Sequence, residues 1–491
     1  MEDLKGRTVR AGFAQIAAQV ASLLLRIASI FILSRLLDPR DFGLVAMVTT
    51  VTGIYALFTT AGLSAATIQQ VSVSEQQLST LFWVNIAVGA TLAALCIATA
   101  PVLVEFYRED RLFWITIALA AGFLFNAAGV QHSAILERQL RYFTLSSISL
   151  LAQTAGMGLA IVMAITGFQY WALVASAFTP TAVSTVCLWI VTRWIPGLPE
   201  RQTGVKRMLR FGGTLTLNQL LVYLAYNCDK VLLGRLWGAD VLGLYGRAYQ
   251  LVGIPTASIT DAVGAVAFAA LSRLQQEPER LRSYFLKGYS LVISVTLPTT
   301  IFSAIWADDI VLVVLGPKWV DAAPIFRLLS PTILIFGVIN PLAWLMISTG
   351  LQGRSLKTAL VIAPLVITGY VLGLPYGATG VAFGFSAAMT LWVVPHALWC
   401  IHGTVISPRD LAIAVSRPLV SGIVAAAVTF AAHMALSELH PPILRLALGG
   451  IVMLVSYAVM LLLVMGQWRS YWDLLNDLLG RPRSGEPVVR S

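Results

Sequence analysis

A polar stripe along the first hydrophobic segment is the strongest candidate for chemistry in this 491-residue sequence. The residues Gln15, Gln19, Ser22, Arg26 and Ser29 follow one another at steps of four, three, four and three. This spacing puts all five side chains on one face of an α-helix. Arg26 stands near the middle of the segment, where a charge in a bilayer costs roughly 2.5–3.5 kcal/mol. We therefore expect this face to border protein or water.

Two interpretations of Arg26 follow from its chemistry. A guanidinium presents its N–H donors in a planar fork that fits phosphate oxygens, which predicts a binding residue for an anionic ligand. The alternative is a structural arginine that pairs with a carboxylate or with the carbonyl groups at a helix end. The first interpretation makes Gln19 and Ser22 substrate-binding neighbours of Arg26.

A second polar face occurs 200 residues later. Gln219, Tyr223, Tyr226 and Lys230 fall on one helical face, and Asp229 lies beside it. We predict that the glutamine and the two tyrosines bind substrate and that Asp229 takes part in ion coupling. Asp229 and Lys230 lie near the expected outer end, so an interfacial carboxylate and a lysine that reaches the headgroups are an equally good interpretation.

Three further groups of polar residues have open roles. Asp261 is the one carboxylate well inside the helices of the second half and could couple transport to an ion, or it could lie in the cytoplasm. Arg327 stands about two turns into the tenth hydrophobic segment, where it either reaches outward to the interface or lines a cavity. Hydroxyl and aromatic residues suited to sugars, or equally to helix packing in lipid, are Thr49, Thr52, Tyr55 and Thr59 in the second segment and Tyr249, Thr256 and Ser258 in the eighth.

The composition fixes the elements that carry these residues. Hydrophobic residues make up 58% of the chain, charged residues 11%, and the mean hydropathy is +0.81, which predicts an all-α protein that crosses the membrane many times. The apolar stretches are continuous, unlike the alternating pattern of a membrane β-barrel. Fourteen transmembrane helices are expected near 11–35, 42–65, 79–103, 112–134, 144–166, 170–192, 211–233, 243–271, 284–306, 322–347, 356–375, 379–400, 412–435 and 442–465.

The distribution of Lys and Arg predicts the orientation. With the N-terminus inside, 22 of the 33 basic residues fall in cytoplasmic segments, nine outside and two within spans. We expect both termini in the cytoplasm. The net charge of +10 then faces anionic lipid and requires no nucleic-acid partner. The first hydrophobic segment is too long for a signal-peptide core and is expected to be retained.

An internal repeat indicates how the helices are organised. Residues 12–54 match residues 212–254 at ten of 43 positions without a gap, including the pattern L-x-R-L-x6-G-L at Leu33 and at Leu233. This predicts two six-helix lobes of the same orientation, related by a pseudo-two-fold axis along the membrane normal. The expected boundaries are 1–192 for the first lobe, 193–210 for a basic cytoplasmic linker, 211–402 for the second lobe, 403–466 for two more helices and 467–491 for a cytoplasmic tail.

Several sites are absent from the sequence. Cys96, Cys187, Cys228 and Cys400 are scattered through apolar segments and show neither disulfide nor metal-site spacing. No G-x-x-x-x-G-K-[ST] loop occurs, so active transport would need an ion gradient, the membrane potential or the gradient of the substrate itself. We expect no cofactor, no catalytic residue and no metal. The segment 308–319 is too short to span and is interpreted as a continuation of the ninth helix or a re-entrant turn. In the tail, 467–479 is expected to form a surface helix and 481–491 to be disordered.

An ordered set of motifs resembles the polysaccharide-transporter (Wzx-type flippase) family of the MOP superfamily. The motifs are SRLLDPRDFG at 34–43 with GL at 62–63, AILERQLRYF at 134–143, DKVLLGR at 229–235, LGLYGRA at 242–248 and GPKW at 316–319. The resemblance covers nearly the whole chain and is greatest to exporters of colanic-acid and succinoglycan type.

The resemblance implies two six-helix lobes around a cationic cavity that opens alternately to either side. It implies transfer of undecaprenyl-pyrophosphate-linked oligosaccharide from the inner to the outer leaflet of a bacterial inner membrane, for exopolysaccharide, capsule or O-antigen assembly. Expected partners are the lipid-linked oligosaccharide, membrane lipids and, as further candidates, polymerase or export proteins. The implied pyrophosphate agrees with the interpretation of Arg26 as an anion-binding residue.

Three other functions stay open at this point. A MATE-like antiporter for organic cations should carry acidic residues within the first-lobe helices, and here those acids fall at segment ends or in loops. A lipid II flippase shares 14 spans and a cationic cavity, and only the motifs rank it lower. A membrane-embedded glycan polymerase or ligase needs catalytic groups, usually in a large outer loop, and the outer loops here are short.

Overall fold

A computed structural model of the chain describes residues 2–59, 74–199 and 205–468. The described part is helical and contains no strand. The helices up to residue 273 are α1 (Glu2–Leu36), α2 (Pro39–Thr59), α3 (Glu75–Tyr107), α4 (Arg111–Arg138), α5 (Tyr142–Ile165), α6 (Tyr170–Thr192) and α7 (Val205–Arg273). Because a bilayer offers no partner for backbone N–H and C=O groups, such apolar segments satisfy them within helices.

The rest of the chain continues the same pattern. Its α-helices are α8 (Pro278–Ile305), α9 (Ala307–Val314), α10 (Ala322–Leu329), α11 (Pro331–Ser348), α12 (Gln352–Gly373), α13 (Gly377–Ile401), α14 (Pro408–Ala435) and α15 (Pro442–Ala458). Short 3-10 turns occupy Pro317–Trp319 and Leu374–Tyr376, and a π-helical stretch, Val459–Val464, follows α15.

Within the described residues, eleven helices are long and apolar enough to cross a membrane. One of these, the 45-residue stretch Lys357–Ile401, contains most of α12 and all of α13. The prediction of an all-α polytopic protein is confirmed. The start of α3 carries a capping box: the Ser74 hydroxyl accepts from the N–H of Gln77, whose side chain accepts from the N–H of Ser74.

Helix α7 covers both the seventh and the eighth predicted spans. Its backbone leaves helical geometry at one residue, Gly238, with φ 83° and ψ −176°. This left-handed conformation is open to glycine at little cost and to other residues only with strain. The break separates residues 205–237 from residues 239–273, as the repeat requires of two successive spans.

The chain forms two compact units. One contains Met1–Gly246 with Val314–Lys318, and the other contains Arg247–Val313 with Trp319–Ser491. The first unit therefore includes α1 to α6 and α7 as far as Gly246. The second unit includes the remainder of α7 and the bulk of the later helices.

Reciprocal glycine contacts join α2 to α7 in the first unit. A Cβ added to Gly43 would stand 1.8 Å from the carbonyl oxygen of Ala239, and one added to Gly243 would stand 1.9 Å from that of Pro39. Since residues 39 and 43 match 239 and 243 in the repeat, the two contacts are equivalent. The repeat glycines thus allow the two backbones to touch, a role for which only glycine is small enough.

Glycines and a buried ion pair organise the second unit. Gly369 and Gly373 of α12 meet the backbone of Gly384 and Gly380 of α13, so this helix hairpin packs at close range. At another place, the guanidinium of Arg445 at the start of α15 pairs with the carboxylate of Asp309 on α9. The two side chains are only 17% and 6% exposed.

Two predicted connections take a definite form. The segment 308–319 lies in α9 and the turn Pro317–Trp319, directly after α8, and so continues from the ninth span as a separate short helix. In the predicted linker, Gly197 accepts a bond of 2.8 Å from the Trp83 indole and donates one of 2.9 Å to the Ser79 hydroxyl. Helix α7 begins at Val205, before the predicted linker end at 210. The predicted tail helix at 467–479 and the stretch 481–491 lie outside the described residues, apart from Gln467 and Trp468.

Candidate substrate site

Arg26 lies on α1 with its side chain exposed, inside the hydrophobic stretch Ala17–Leu36. It has no hydrogen-bond or ion-pair partner among the described residues, so the structural interpretation of a paired arginine gains no support there. Gln19, two turns earlier on the same stripe, is also exposed, and the side chain of Gln15 lies outside the described residues. Since lipid would penalise an unpaired guanidinium heavily, this face of α1 requires water or a polar ligand.

Helix α5 completes the polar face of α1. The side-chain nitrogen of Gln153 donates to the Ser22 hydroxyl oxygen at 3.3 Å and to the Ser149 hydroxyl oxygen at 3.0 Å. Sequence reasoning missed α5. The available signal was the spacing of Ser146, Ser149 and Gln153 at steps of three and four, the same pattern that singled out α1.

The predicted binding residues of α7 differ in their surroundings. Gln219 is exposed, whereas the Tyr223 hydroxyl donates to the backbone oxygen of Thr50 at 2.9 Å. Tyr223 also lies over Gly53, whose added Cβ would stand 2.0 Å from the tyrosine oxygen. Tyr223 therefore fastens α7 to α2, and Tyr226, three residues further on, is half-buried.

Asp229 is buried in the protein interior. Its carboxylate accepts the Tyr245 hydroxyl at 2.6 Å and the backbone N–H of Lys230 at 2.8 Å. The ammonium of Lys230 donates to the Asn227 side-chain oxygen at 2.7 Å. Asp229 is thus a fully buried carboxylate that is held by a tyrosine from the second part of α7.

The two predicted site residues of the second unit lie apart from these groups in the sequence. Arg327 on α10 is exposed, pairs with the carboxylate of Asp308 and donates to the backbone oxygen of Ala304 at 3.3 Å. Asp261 belongs to α7, and its side chain lies outside the described residues. Arg327 is therefore an arginine with a carboxylate partner, in contrast to Arg26.

The hydroxyl residues of the second and eighth spans mostly serve their own helices. Thr49, Thr52 and Thr59 donate to backbone oxygens of α2, and Thr256 and Ser258 do the same on α7. Such bonds use the hydroxyl hydrogen within the helix. These side chains therefore have no donor left for a sugar, and the helix-packing interpretation fits them better.

The site in the first unit is suited to binding. It combines the Arg26 guanidinium, which has no partner in the part of the chain that the structure describes, with neutral donors and acceptors from two helices. Across the described ranges, no three His, Cys, Asp or Glu side chains gather as metal ligands, and all four cysteines are free thiols. An exposed cation beside amide and hydroxyl groups can hold an anion that carries hydroxylated substituents.

Comparisons with known proteins identify the family. The model of a family described as "Polysaccharide biosynthesis protein" matches residues 32–324. The chain is 31% identical to the teichuronic acid biosynthesis protein TuaB of Bacillus subtilis (strain 168) over 294 residues, 59% of this chain and 60% of TuaB. The match thus spans less than two thirds of that relative. It is 26% identical to the lipopolysaccharide biosynthesis protein WzxC of Escherichia coli (strain K12) over 393 residues, 78% of each protein.

The fold also has a counterpart among solved structures. The chain superimposes on the lipid II flippase MurJ in an inward closed conformation with a TM-score of 0.72, covering 95% of this chain and all of MurJ. The sequence identity is 11%, so this likeness concerns the fold alone. The family predicted from the motifs is confirmed, and a polysaccharide transporter is favoured over the three alternatives.

Proposed function

This chain belongs to the polysaccharide biosynthesis protein family, and we propose that it moves undecaprenyl-pyrophosphate-linked oligosaccharide from the inner to the outer leaflet of a bacterial inner membrane. The transferred units serve the assembly of exopolysaccharide, capsule or O-antigen. The protein acts by alternating access and makes or breaks no covalent bond. Its partners are the lipid-linked oligosaccharide, the surrounding lipids and the proteins that polymerise or export the product.

The observation that carries this proposal is the exposed guanidinium of Arg26, which has no partner among the described residues and lies in the middle of an apolar stretch. A pyrophosphate is a doubly anionic group, and moving it through a medium of low dielectric constant is costly without a counter-charge. A guanidinium supplies that charge together with directed donors. Arg26 is therefore the residue that receives the pyrophosphate, while the lipid tail stays in the bilayer.

The proposal includes the complete topology. Fourteen spans, two six-helix lobes with two additional helices, and cytoplasmic termini are supported by the repeat and by the excess of basic residues in the predicted inner segments. The sequence contains no nucleotide-binding loop that could power transport. We therefore assign the driving force to an ion gradient, the membrane potential or the substrate gradient. Asp261 and Asp229 are the candidate coupling carboxylates.

The rival functions make different demands on the site. A cation exporter requires an anionic binding face, whereas the described polar face of α1 and α5 carries a cation and neutral groups. A lipid II flippase moves a pyrophosphate-linked substrate too, so it differs in the sugar and peptide portion. A polymerase or ligase requires catalytic groups, which the candidate site does not supply.

Reconstitution in liposomes tests the proposal directly. The purified chain is compared for transfer of undecaprenyl-pyrophosphate-linked oligosaccharide, transfer of lipid II and efflux of a lipophilic cation. We expect transfer of the oligosaccharide lipid at a rate well above that of protein-free liposomes. Transfer of lipid II alone would favour the lipid II flippase, and efflux of the cation alone would overturn the proposal.

A further inference from the structure

We propose that Gln153, Ser22 and Ser149 form a subsite for the sugar attached directly to the pyrophosphate. This inference rests on the proposed function and extends it to α5. We call these three residues the amide bridge. The bridge makes α5 a wall of the substrate site and makes Gln153 a specificity-determining residue.

The amide bridge has hydrogen-bond donors and acceptors that its internal bonds do not use. The Gln153 nitrogen carries two hydrogens, and both are used, at 3.3 Å to Ser22 and at 3.0 Å to Ser149. No described residue donates to the Gln153 oxygen or accepts from either serine, so the oxygen remains as an acceptor and each serine keeps its own hydrogen to donate. If the amide is turned over, the serines donate to the oxygen and the two N–H groups remain. Either orientation leaves both donors and acceptors for a ligand.

Ser22 and Ser149 differ from many of the Ser and Thr hydroxyls in the described helices, which donate to a backbone oxygen of their own helix. Thr154, next to Gln153, donates to the backbone oxygen of Leu150 at 2.8 Å, and Thr50 donates to Ala46 at 2.7 Å. Neither Ser22 nor Ser149 makes such a bond to any described residue. A hydroxyl in a membrane helix often satisfies itself in this way, so the hydrogens of Ser22 and Ser149, which are not used like this among the described residues, stay available to a ligand.

The combination of spare donors and acceptors identifies the kind of group that binds. A phosphate oxygen only accepts hydrogen bonds and needs the donors of Arg26. A sugar hydroxyl both donates and accepts, which is what the amide bridge offers. The amide bridge is also uncharged, so it does not compete with Arg26 for the pyrophosphate.

The spacing along α1 agrees with a sugar joined to a pyrophosphate. Ser22 and Arg26 are four residues apart, which is about 6 Å along a helix axis and places them on one face. A hexose linked to a phosphate extends over a similar distance. One ligand can therefore put its phosphate on Arg26 and its first sugar on the amide bridge.

A purely structural role is the alternative, because glutamine and serine also hold helices together in lipid. Binding measurements separate the two roles. The purified chain in nanodiscs is titrated with two probes, bare undecaprenyl pyrophosphate and undecaprenyl-pyrophosphoryl galactose, for the parent, Gln153→Leu, Ser22→Ala with Ser149→Ala, and Arg26→Gln. The matched control is Thr154→Ala, whose hydroxyl is already used by its own helix.

We expect Gln153→Leu to weaken binding of the galactosyl probe about tenfold, the loss of one to two hydrogen bonds, and to leave binding of the bare probe unchanged. The double serine variant should behave alike, Arg26→Gln should weaken both probes, and Thr154→Ala should change neither. The melting temperature of each variant checks folding. If Gln153→Leu does not fold, the serine variant decides.

Two results would overturn the subsite. One is equal binding of the galactosyl probe by the parent and the bridge variants. The other is an equal loss for both probes, which is the signature of a structural bridge. In both cases the parent still binds and transfers pyrophosphate lipids, so the proposed function stands. Failure of the parent to bind either probe overturns the proposed function itself.

Discussion

Gly43 and Gly243 occupy equivalent positions of a 200-residue repeat, and each lies against the backbone of the other's helix. An added Cβ at Gly43 would meet the oxygen of Ala239 at 1.8 Å, and one at Gly243 would meet that of Pro39 at 1.9 Å. Residue 43 touches residue 239, and their equivalents in the repeat, residues 243 and 39, touch each other in the same way. A reciprocal contact of this kind is called isologous. The repeat is therefore expressed in packing as well as in sequence.

Gly43→Ala and Gly243→Ala should each destabilise the protein by about 1–3 kcal/mol, the usual cost of overpacking. The clashing atoms belong to the backbone, so no side-chain rotation relieves them. Thermal unfolding in detergent measures the loss. Gly246→Ala is the matched control because its Cβ would meet open space, and a melting temperature equal to that of the parent in both glycine variants would refute the contact.

Arg26→Gln should reduce transfer of lipid-linked oligosaccharide about 10- to 150-fold, since a hydrogen bond to a charged group contributes roughly 1.5–3 kcal/mol. Arg26→Lys should keep part of the activity because it keeps the charge but not the planar fork. The liposome assay gives both rates. Arg141→Gln, another exposed arginine, is the control and should transfer normally; normal transfer by Arg26→Gln would remove Arg26 from the mechanism.

Removing one partner of the Asp309 and Arg445 pair should destabilise the second unit by about 3–5 kcal/mol, because the remaining charge is left buried. We expect this from Arg445→Gln in chemical or thermal unfolding. The control is Glu277→Gln, which breaks a pair whose side chains are 73% and 48% exposed and should cost less than about 1 kcal/mol. Equal effects of the two substitutions would contradict a special role for burial.

Asp229→Leu and Tyr245→Phe should each lower stability by about 1–3 kcal/mol, since each leaves a buried polar group without its partner. The double variant should lose less than the sum of the two, because both single changes break the same 2.6 Å bond. A full set of four unfolding curves gives the coupling. Additive losses would show that the two side chains do not interact.

Asp261→Asn should change the dependence of transfer on an imposed proton or sodium gradient if this carboxylate couples transport to an ion. The assay compares parent and variant at several gradients in liposomes. Asp240→Asn, an exposed aspartate of α7, is the control. Identical responses of Asp261→Asn and the parent would assign no coupling to Asp261.

Much of the fold follows from the sequence because lipid leaves few choices. Continuous apolar stretches must become helices, so the helix positions could be read directly, and the break at Gly238 falls between two predicted spans. The motifs were sufficient for the family. The stripe that ends at Ser29 was visible because helical periodicity is a property of the sequence.

Hydropathy and helical periodicity could not predict the contacts between helices. Tyr223 and Thr49 were candidates for binding on their chemistry alone, yet the hydroxyl of each donates to a backbone oxygen. Gln153 was overlooked because a glutamine on α5 gains meaning only when Ser22 stands opposite it. Hydropathy cannot show which hydroxyl has used its hydrogen or which side chain faces which neighbour.

By itself the sequence determined that this is a helical membrane protein, that it contains a repeat, and that a charge lies where lipid would penalise it. Those results depend on local composition and on the spacing of residues along the chain, both of which are present before the chain folds. Only the tertiary structure decided that Arg26 lacks a partner among the described residues, that Asp229 is buried beneath Tyr245, and that Gly43 and Gly243 face each other's helices. Pairing and burial depend on distances between segments far apart in the chain, and those distances exist only after the helices have packed.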